Sequence, residues 1–272
     1  MRKNIQFNKT KFENEVEMIG IYFSGTGNTK YCISKFLEYY NSDEKKLYSI
    51  EDDNCIKKIS ENDEIILAYP IYYSDIPIIV RNFFNNNKAI FKNKKIFIIA
   101  TMGLFSGDGT GCSARILKKY GANIIGGLHL KMPDCIGDVK LLKKSIEENK
   151  TIVKDAELKI KRTVTNIKNG KYSKEGLHFF NHIAGLFGQR LWFYNKTLKL
   201  KDKLKIDYNK CISCKKCSII CPVENIKIIN NKPVPQGNCT SCYRCINNCP
   251  KCAITLIGDE VYEQSKIENY ID

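Results

Sequence analysis

The chain has 272 residues, 43% of them hydrophobic, and 44 Lys+Arg against 29 Asp+Glu give a formal net charge of +15. That length suits two domains with a sizeable core, and no apolar run approaches the roughly 18 residues of a membrane span. Most of the basic excess falls in residues 140–200 without any nucleic-acid motif, which excludes nucleic acid as the expected partner.

From the N-terminus to about residue 138, short apolar runs alternate with helical patterns, as in a parallel α/β sheet. Expected strands cover 18–23, 46–50, 64–69, 95–101 and 123–131, and expected helices cover 30–40, 77–84 and 110–120. Pro77 suits the first turn of its helix. Leu142, Ile146, Val153, Ala156, Ile160, Val164 and Ile167 recur at helical spacing, predicting a fifth, extended helix over 139–167 that Asn169-Gly170 ends. Phe179, Phe180, Phe187, Trp192, Phe193 and Tyr194 predict an aromatic hairpin or bracket between two halves of the chain. The expected units are therefore 1–170, a helical aromatic-rich linker 171–203, a cysteine-rich domain 204–258 and a C-terminal tail 259–272.

Directly after the first strand comes Ser24-Gly25-Thr26-Gly27-Asn28-Thr29, opening the first helix. Small residues let backbone N–H groups converge, hydroxyls add donors, and the helix N-terminus favours an anion. The loop lacks the Lys-Ser ending of a nucleoside-triphosphate P-loop and is not G-x-G-x-x-G. It suits a phosphate monoester held by neutral dipoles.

Cys211, Cys214, Cys217 and Cys221 precede Pro222, and Cys239, Cys242, Cys245 and Cys249 precede Pro250. Both runs read C-x2-C-x2-C-x3-C-P, the bacterial spacing for two [4Fe–4S] clusters, in which the fourth cysteine of each run ligates the other cluster. One cluster is therefore expected on Cys211, Cys214, Cys217 and Cys249, the other on Cys239, Cys242, Cys245 and Cys221. Zinc also accepts C-x2-C pairs, but it needs only four thiolates and leaves the third and fourth cysteine of each run unexplained. Thirteen cysteines and no apolar h-region in residues 1–20 give the expectation of a reducing cytoplasm, and the Lys-, Ile- and Asn-rich composition that of an anaerobe.

The loop at 24–29 resembles the S/T-x-T-G-x-T phosphate loop of flavodoxins. With the two cysteine runs, the whole chain resembles the flavodoxin–ferredoxin fusion family of EFR1-type ferredoxins. The resemblance implies a flavodoxin-like α/β fold, a doubly wound parallel five-stranded sheet of order 2-1-3-4-5, plus a small α+β 2[4Fe–4S] ferredoxin domain. It implies FMN at the carboxyl ends of the strands, held by the loop at 24–29 and two more. The first spans Pro70, Ile71, Tyr72, Tyr73 and Ser74, with Tyr72 the preferred stacking face. The second spans Thr101, Met102, Gly103, Phe105, Ser106, Gly107 and Asp108. Many flavodoxins have a glycine beside the flavin N5 where residues 70–76 have none; Ser74-Asp75 is the expected place for an unusual backbone. Met132-Pro133-Asp134 fits the family motif after the fifth strand and is expected to be a structural turn.

Cys252 fits neither run and is expected to be a small residue buried beside a cluster. Cys32, Cys55, Cys112 and Cys135 are expected to be core or surface thiols. His178 and His182, at i and i+4 without a zinc-protease glutamate, and His129 in a strand, are expected to be structural. FMN handles two electrons or one, whereas each cluster passes one. The expected function is an electron carrier linking FMN, two clusters and partner oxidoreductases, with exposed Lys215 and Lys216 meeting an acidic patch and Ile219-Ile220 excluding water. The alternative is an FMN-dependent reductase of a small organic substrate, fed by the clusters, with Tyr73 and Asp108 as candidate proton donors.

Overall fold

The computed structural model describes residues 18–41, 46–104, 108–178 and 196–271. Strands β1 (Ile19–Tyr22), β2 (Leu47–Ser49), β3 (Glu64–Pro70), β4 (Lys95–Met102) and β5 (Asn123–Lys131) form one parallel sheet in the order β2-β1-β3-β4-β5. Because successive strand side chains point to opposite faces, each strand supplies both layers of core. Ile21, Leu67, Tyr69 and Ile98 pack toward α2 (Cys55–Glu61), α3 (Ile78–Asn86) and α4 (Gly109–Lys119). Ile66, Ala68, Phe97, Ile99 and Leu128 pack toward α1 (Asn28–Asn41) and α5 (Ile146–Lys168). This is the flavodoxin-like, doubly wound fold. Among the described residues no helix is long and apolar enough to cross a membrane.

Two elements depart from the periodicity. Helix α2 buries only Cys55 and Ile59, too short an apolar stripe to register as a helix in sequence. Helix α5 starts at Ile146, not at 139, because Ser145 closes a capping box: its hydroxyl accepts from the Glu148 N–H, and the Glu148 carboxylate accepts from the Ser145 N–H. Leu142 and Ile146 therefore lie off the stripe that Val153, Ala156, Ile160, Val164 and Ile167 bury. The start of the presumed linker is not helical: the Gly127 N–H donates to the Ser173 carbonyl and the Glu175 N–H to the Gly127 carbonyl, covering the outer edge of β5. The aromatic segment beyond it, Phe179 through Tyr194, and His182 lie outside the described residues.

The C-terminal part pairs β6 (Lys205–Ile206) with β9 (Ile254–Thr255), and β7 (Ile226–Ile229) with β8 (Lys232–Pro235), both antiparallel. Its internal repeat reaches the backbone. Left-handed φ at Ser213, Lys215 and Glu224 recurs at Ser241, Tyr243 and Cys252, one repeat later. Cys252 is thus a half-buried turn residue.

Three polar anchors seat this part on the carboxyl end of the sheet. Asp138, 1% exposed, accepts at Oδ2 from the N–H groups of Leu256, Ile257 and Gly258 (2.6, 2.8 and 3.2 Å) and at Oδ1 from the Tyr243 hydroxyl (3.0 Å). Buried Asn247 donates to the Cys135 carbonyl and accepts from the Ser265 N–H. Arg244 forks onto both Glu51 carboxylate oxygens (2.6 and 2.7 Å) and donates to the Ser24 carbonyl at 2.8 Å. The last residues return to the first domain. Ile267 and Tyr270 are buried in the α1/α5 core, and the Ile267 N–H donates to the Thr26 carbonyl.

Candidate functional site

A cavity of about 190 Å3 lies at the carboxyl ends of β1, β3, β4 and β5, where the strand order reverses and open α/β sheets receive ligands. Ser24, Gly25, Thr26, Asn28 and Thr29 form one wall, Pro70 to Ser74 a second, and Thr101 to Leu104 a third. Gly27 and Asp108 do not line it. Phe105, Ser106 and Gly107 lie outside the described residues. Asp108 is turned into the protein: fully buried, it takes an ion pair from Arg115 Nη2 at 2.7 Å, so it offers no proton to the cavity.

The first wall is built at the N-terminus of α1. Gly27 sits at φ +95°, and a Cβ there would meet the Ile267 side chain, so glycine serves both the turn and the returning C-terminal segment. Its N–H donates to Ser24 Oγ at 3.1 Å. The Thr29 and Thr101 hydroxyls bond each other at 2.7 Å, tying this wall to β4. Asn28 Nδ2 donates to the Pro133 carbonyl at 2.8 Å, while its buried Oδ1 has no partner among the described residues. A buried acceptor left open costs free energy unless a ligand donor meets it.

The second wall is a two-residue turn. The Tyr72 N–H donates to the Asp75 carbonyl and the Asp75 N–H to the Tyr72 carbonyl, both at 3.0 Å. The residues between them, Tyr73 (φ 50°) and Ser74 (φ 62°), are both left-handed, a geometry glycine or asparagine usually occupies. The unusual backbone therefore falls at Tyr73-Ser74, one residue before the expected Ser74-Asp75. Arg81 Nη2, at 2.8 Å from both Asp75 oxygens, braces this turn against α3. Tyr72 is nearly buried in the core, while Tyr73 is half-buried. Burial raises both phenol pKa values above the ordinary tyrosine range.

Sequence reasoning missed two parts of the lining. Residues 132–136 border the cavity, so Met132-Pro133-Asp134 is a cavity wall as well as a turn; burial raises the Asp134 pKa. The roof is Ser241 and Tyr243, from the second cysteine run. The weak signal was the pair of aromatic and hydroxyl residues among those cysteines. Close approach is needed: a Cβ on Gly25 would collide with the Cys242 carbonyl oxygen, and the Cys242 side chain packs in the same core as Tyr72 and Met102.

The eight cysteines border two further small cavities. Cys211, Cys214, Cys217 and Cys249 line one; Cys221, Cys239, Cys242 and Cys245 line the other. Backbone N–H groups donate to sulfur with the same repeat: Ser213 to Cys211 (3.5 Å) and Ser241 to Cys239 (3.4 Å), Asn225 to Cys221 (3.2 Å) and Ala253 to Cys249 (3.3 Å). Burial pushes the Cys242 thiol up to about 12 and Cys217 up to about 11, so a metal binding there displaces protons. Cys252 lines neither cavity. The cavity of Cys221, Cys239, Cys242 and Cys245 shares Tyr243 with the larger cavity. The other reaches solvent through Cys214, beside exposed Ile212, Lys215, Lys216 and Lys251. Ile219 is 82% exposed; it faces water and shields nothing.

Comparison with known proteins agrees with this division. Residues 19–122 match the flavodoxin domain family, and residues 203–250 match the 4Fe–4S dicluster domain family. Similar solved structures include the Fusobacterium nucleatum flavodoxin bound to flavin mononucleotide (20% identity, 57% of this chain, 98% of that one, TM-score 0.40). Another is two-electron reduced Megasphaera elsdenii flavodoxin (22% identity, 53% and 99%, TM-score 0.38). Among curated proteins none matches. The chain thus joins a flavodoxin domain to a 4Fe–4S dicluster domain, the composition of an electron-transfer flavo–iron–sulfur protein.

Proposed function

We propose that this chain is a cytoplasmic carrier of the flavodoxin–ferredoxin fusion (EFR1-type) family, moving electrons between FMN, two [4Fe–4S] clusters and partner oxidoreductases of anaerobic metabolism. The observation that carries it is the shared wall: Tyr243 borders both the large cavity and the cavity of Cys221, Cys239, Cys242 and Cys245. Bound there, FMN supplies two-electron chemistry divisible into single electrons, and the clusters pass single electrons. The residues fit FMN. The N-terminus of α1 and the hydroxyls of Ser24, Thr26 and Thr29 suit its phosphate, and the open Asn28 Oδ1 suits a flavin or ribityl donor. Tyr72 and Tyr73 line the wall that the ring system would meet. Each set of four thiols lines its own cavity, with the fourth cysteine of each run joined to the first three of the other. That grouping, which uses all eight cysteines and crosses between the runs, supports clusters over zinc.

This chain's own contribution is positioning and exclusion of water. The second domain roofs the large cavity, and Cys214 opens to solvent at the far cluster. Electrons then enter or leave at the Cys214 surface, where Lys215, Lys216 and Lys251 suit an acidic patch on a partner. Of the reductase's two candidate donors Asp108 is turned into the protein while Tyr73 lines the cavity; the roof favours the carrier. Anaerobic purification with iron, sulfide and flavin quantified tests the assignment: about eight irons and one FMN per chain are expected. Zinc in place of iron refutes the clusters. Thr26→Glu should abolish flavin and spare iron; flavin retained by that variant refutes the phosphate loop.

A further inference from the structure

The roof residue Ser241 stands between the two cofactor cavities. It is 2% exposed and lines the large cavity, and its Oγ has no hydrogen-bond partner among the described residues. Its neighbour Thr240 faces the other way: 7% exposed, it lines the cavity of Cys221, Cys239, Cys242 and Cys245, and its Oγ1 also has no partner among the described residues. Two consecutive residues thus border cavities on either side of one wall, and Ser241 sits at φ 58°. The same residue donates its backbone N–H to Cys239 Sγ at 3.4 Å. Two buried hydroxyls left open on opposite faces of a partition are costly unless each meets a ligand. The first copy of the repeat differs here: Ser213 makes the same N–H bond to Cys211 Sγ, yet it borders neither cluster cavity nor the large cavity and is only half-buried.

We infer that Ser241 is a flavin-binding residue supplied by the cluster domain: its hydroxyl hydrogen-bonds FMN while its backbone N–H hydrogen-bonds a ligand of the adjacent cluster. The flavin site is therefore composite, complete only when the cluster domain is seated. This inference rests on the FMN assignment above. A hydroxyl at this place binds an acceptor or a donor on the flavin by rotating its proton. One residue then reaches both the cavity that would hold the flavin and a ligand of the adjacent cluster. Each transfer moves one electron, from reduced flavin to oxidised cluster or the reverse.

The test uses the full chain, iron-loaded and stripped of flavin under anaerobic conditions, titrated with FMN and followed by quenching of flavin fluorescence. Loss of one neutral hydrogen bond corresponds to about a 3- to 10-fold weaker Kd. Ser241→Ala should show that weakening, while Ser213→Ala, the same change at the other copy of the repeat, should bind FMN as the unaltered chain does. Ser241→Gly, which relieves the left-handed backbone while removing the hydroxyl, should weaken FMN as alanine does, guarding against a folding artefact. Iron per chain should stay unchanged in all three. Equal Kd values for Ser241→Ala and Ser213→Ala overturn the inference, and so does iron loss in both Ser241 variants, which would make the hydroxyl a support of the cluster loop. If the unaltered chain itself binds no FMN, the failure lies with the flavin assignment and not with Ser241.

Discussion

Asp138 is the most demanding single test of the docking geometry. Its Oδ2 accepts from three consecutive backbone N–H groups, Leu256, Ile257 and Gly258, and its Oδ1 from Tyr243. Asp138→Ala leaves the buried Leu256 N–H and the half-buried Ile257 and Gly258 N–H groups without a protein acceptor, at about 1–3 kcal/mol each where buried. Water entering the gap recovers part of that, so the expected loss is about 3–6 kcal/mol. Asp138→Asn keeps a carbonyl oxygen for the three donors and places its amide beside the Tyr243 oxygen. It loses the charge assistance, roughly half the strength of those bonds, and the acceptor of the Tyr243 hydroxyl, or about 1–3 kcal/mol in all. Against a total stability of about 5–15 kcal/mol, the alanine variant should come close to releasing the cluster domain. Anaerobic thermal denaturation of the cofactor-loaded chain measures the order: unaltered, then Asn, then Ala. Photoreduction of the flavin followed by the rate of cluster reduction measures the docking, and that rate should fall in the same order. An alanine variant within 1 kcal/mol of the unaltered chain, with an unchanged transfer rate, would refute the anchor.

Gly25→Ala should push the domains apart, because its Cβ meets the Cys242 carbonyl oxygen and the Tyr72 hydroxyl. Overpacking of about 1–3 kcal/mol in the melting curve, with slower flavin-to-cluster transfer, is the expected result. Cys249→Ser and Cys221→Ser should damage different clusters: the first the solvent-facing one beside Cys214, the second the one beneath Tyr243. Low-temperature electron paramagnetic resonance distinguishes them, and flavin-to-cluster transfer should survive only in Cys249→Ser. His129 Nε2 accepts the Thr110 N–H at 3.2 Å, and burial lowers its pKa. The neutral ring is native, so its contribution is full above the ordinary histidine pKa of about 6.5 and is lost as pH falls toward the lowered value. His129→Gln, whose amide oxygen can still accept, should flatten the fall in melting temperature below that pH; an unchanged slope would refute the role.

Local signals carried much of this protein. The alternation of apolar runs with helical stretches pointed to five parallel strands, and the order β2-β1-β3-β4-β5, expected from the flavodoxin resemblance, is the one observed. Glycines and hydroxyls after β1 marked a loop built for an anion, because turn chemistry and helix termini act over a few residues. The same locality explains what sequence could not show. Ser145 moved the start of α5 through a bond three residues away. Beyond that reach, Asp138 finds its N–H donors from about 120 residues distant, and Arg244 reaches Ser24 across 220. Such pairs leave no period and no spacing, since they depend on how finished elements stack. The sheet and the first cavity walls were therefore legible in the chain, whereas the roof over the cavity, the returning C-terminal segment and the wall between cavities were decided only when tertiary packing brought distant backbone groups within hydrogen-bond range.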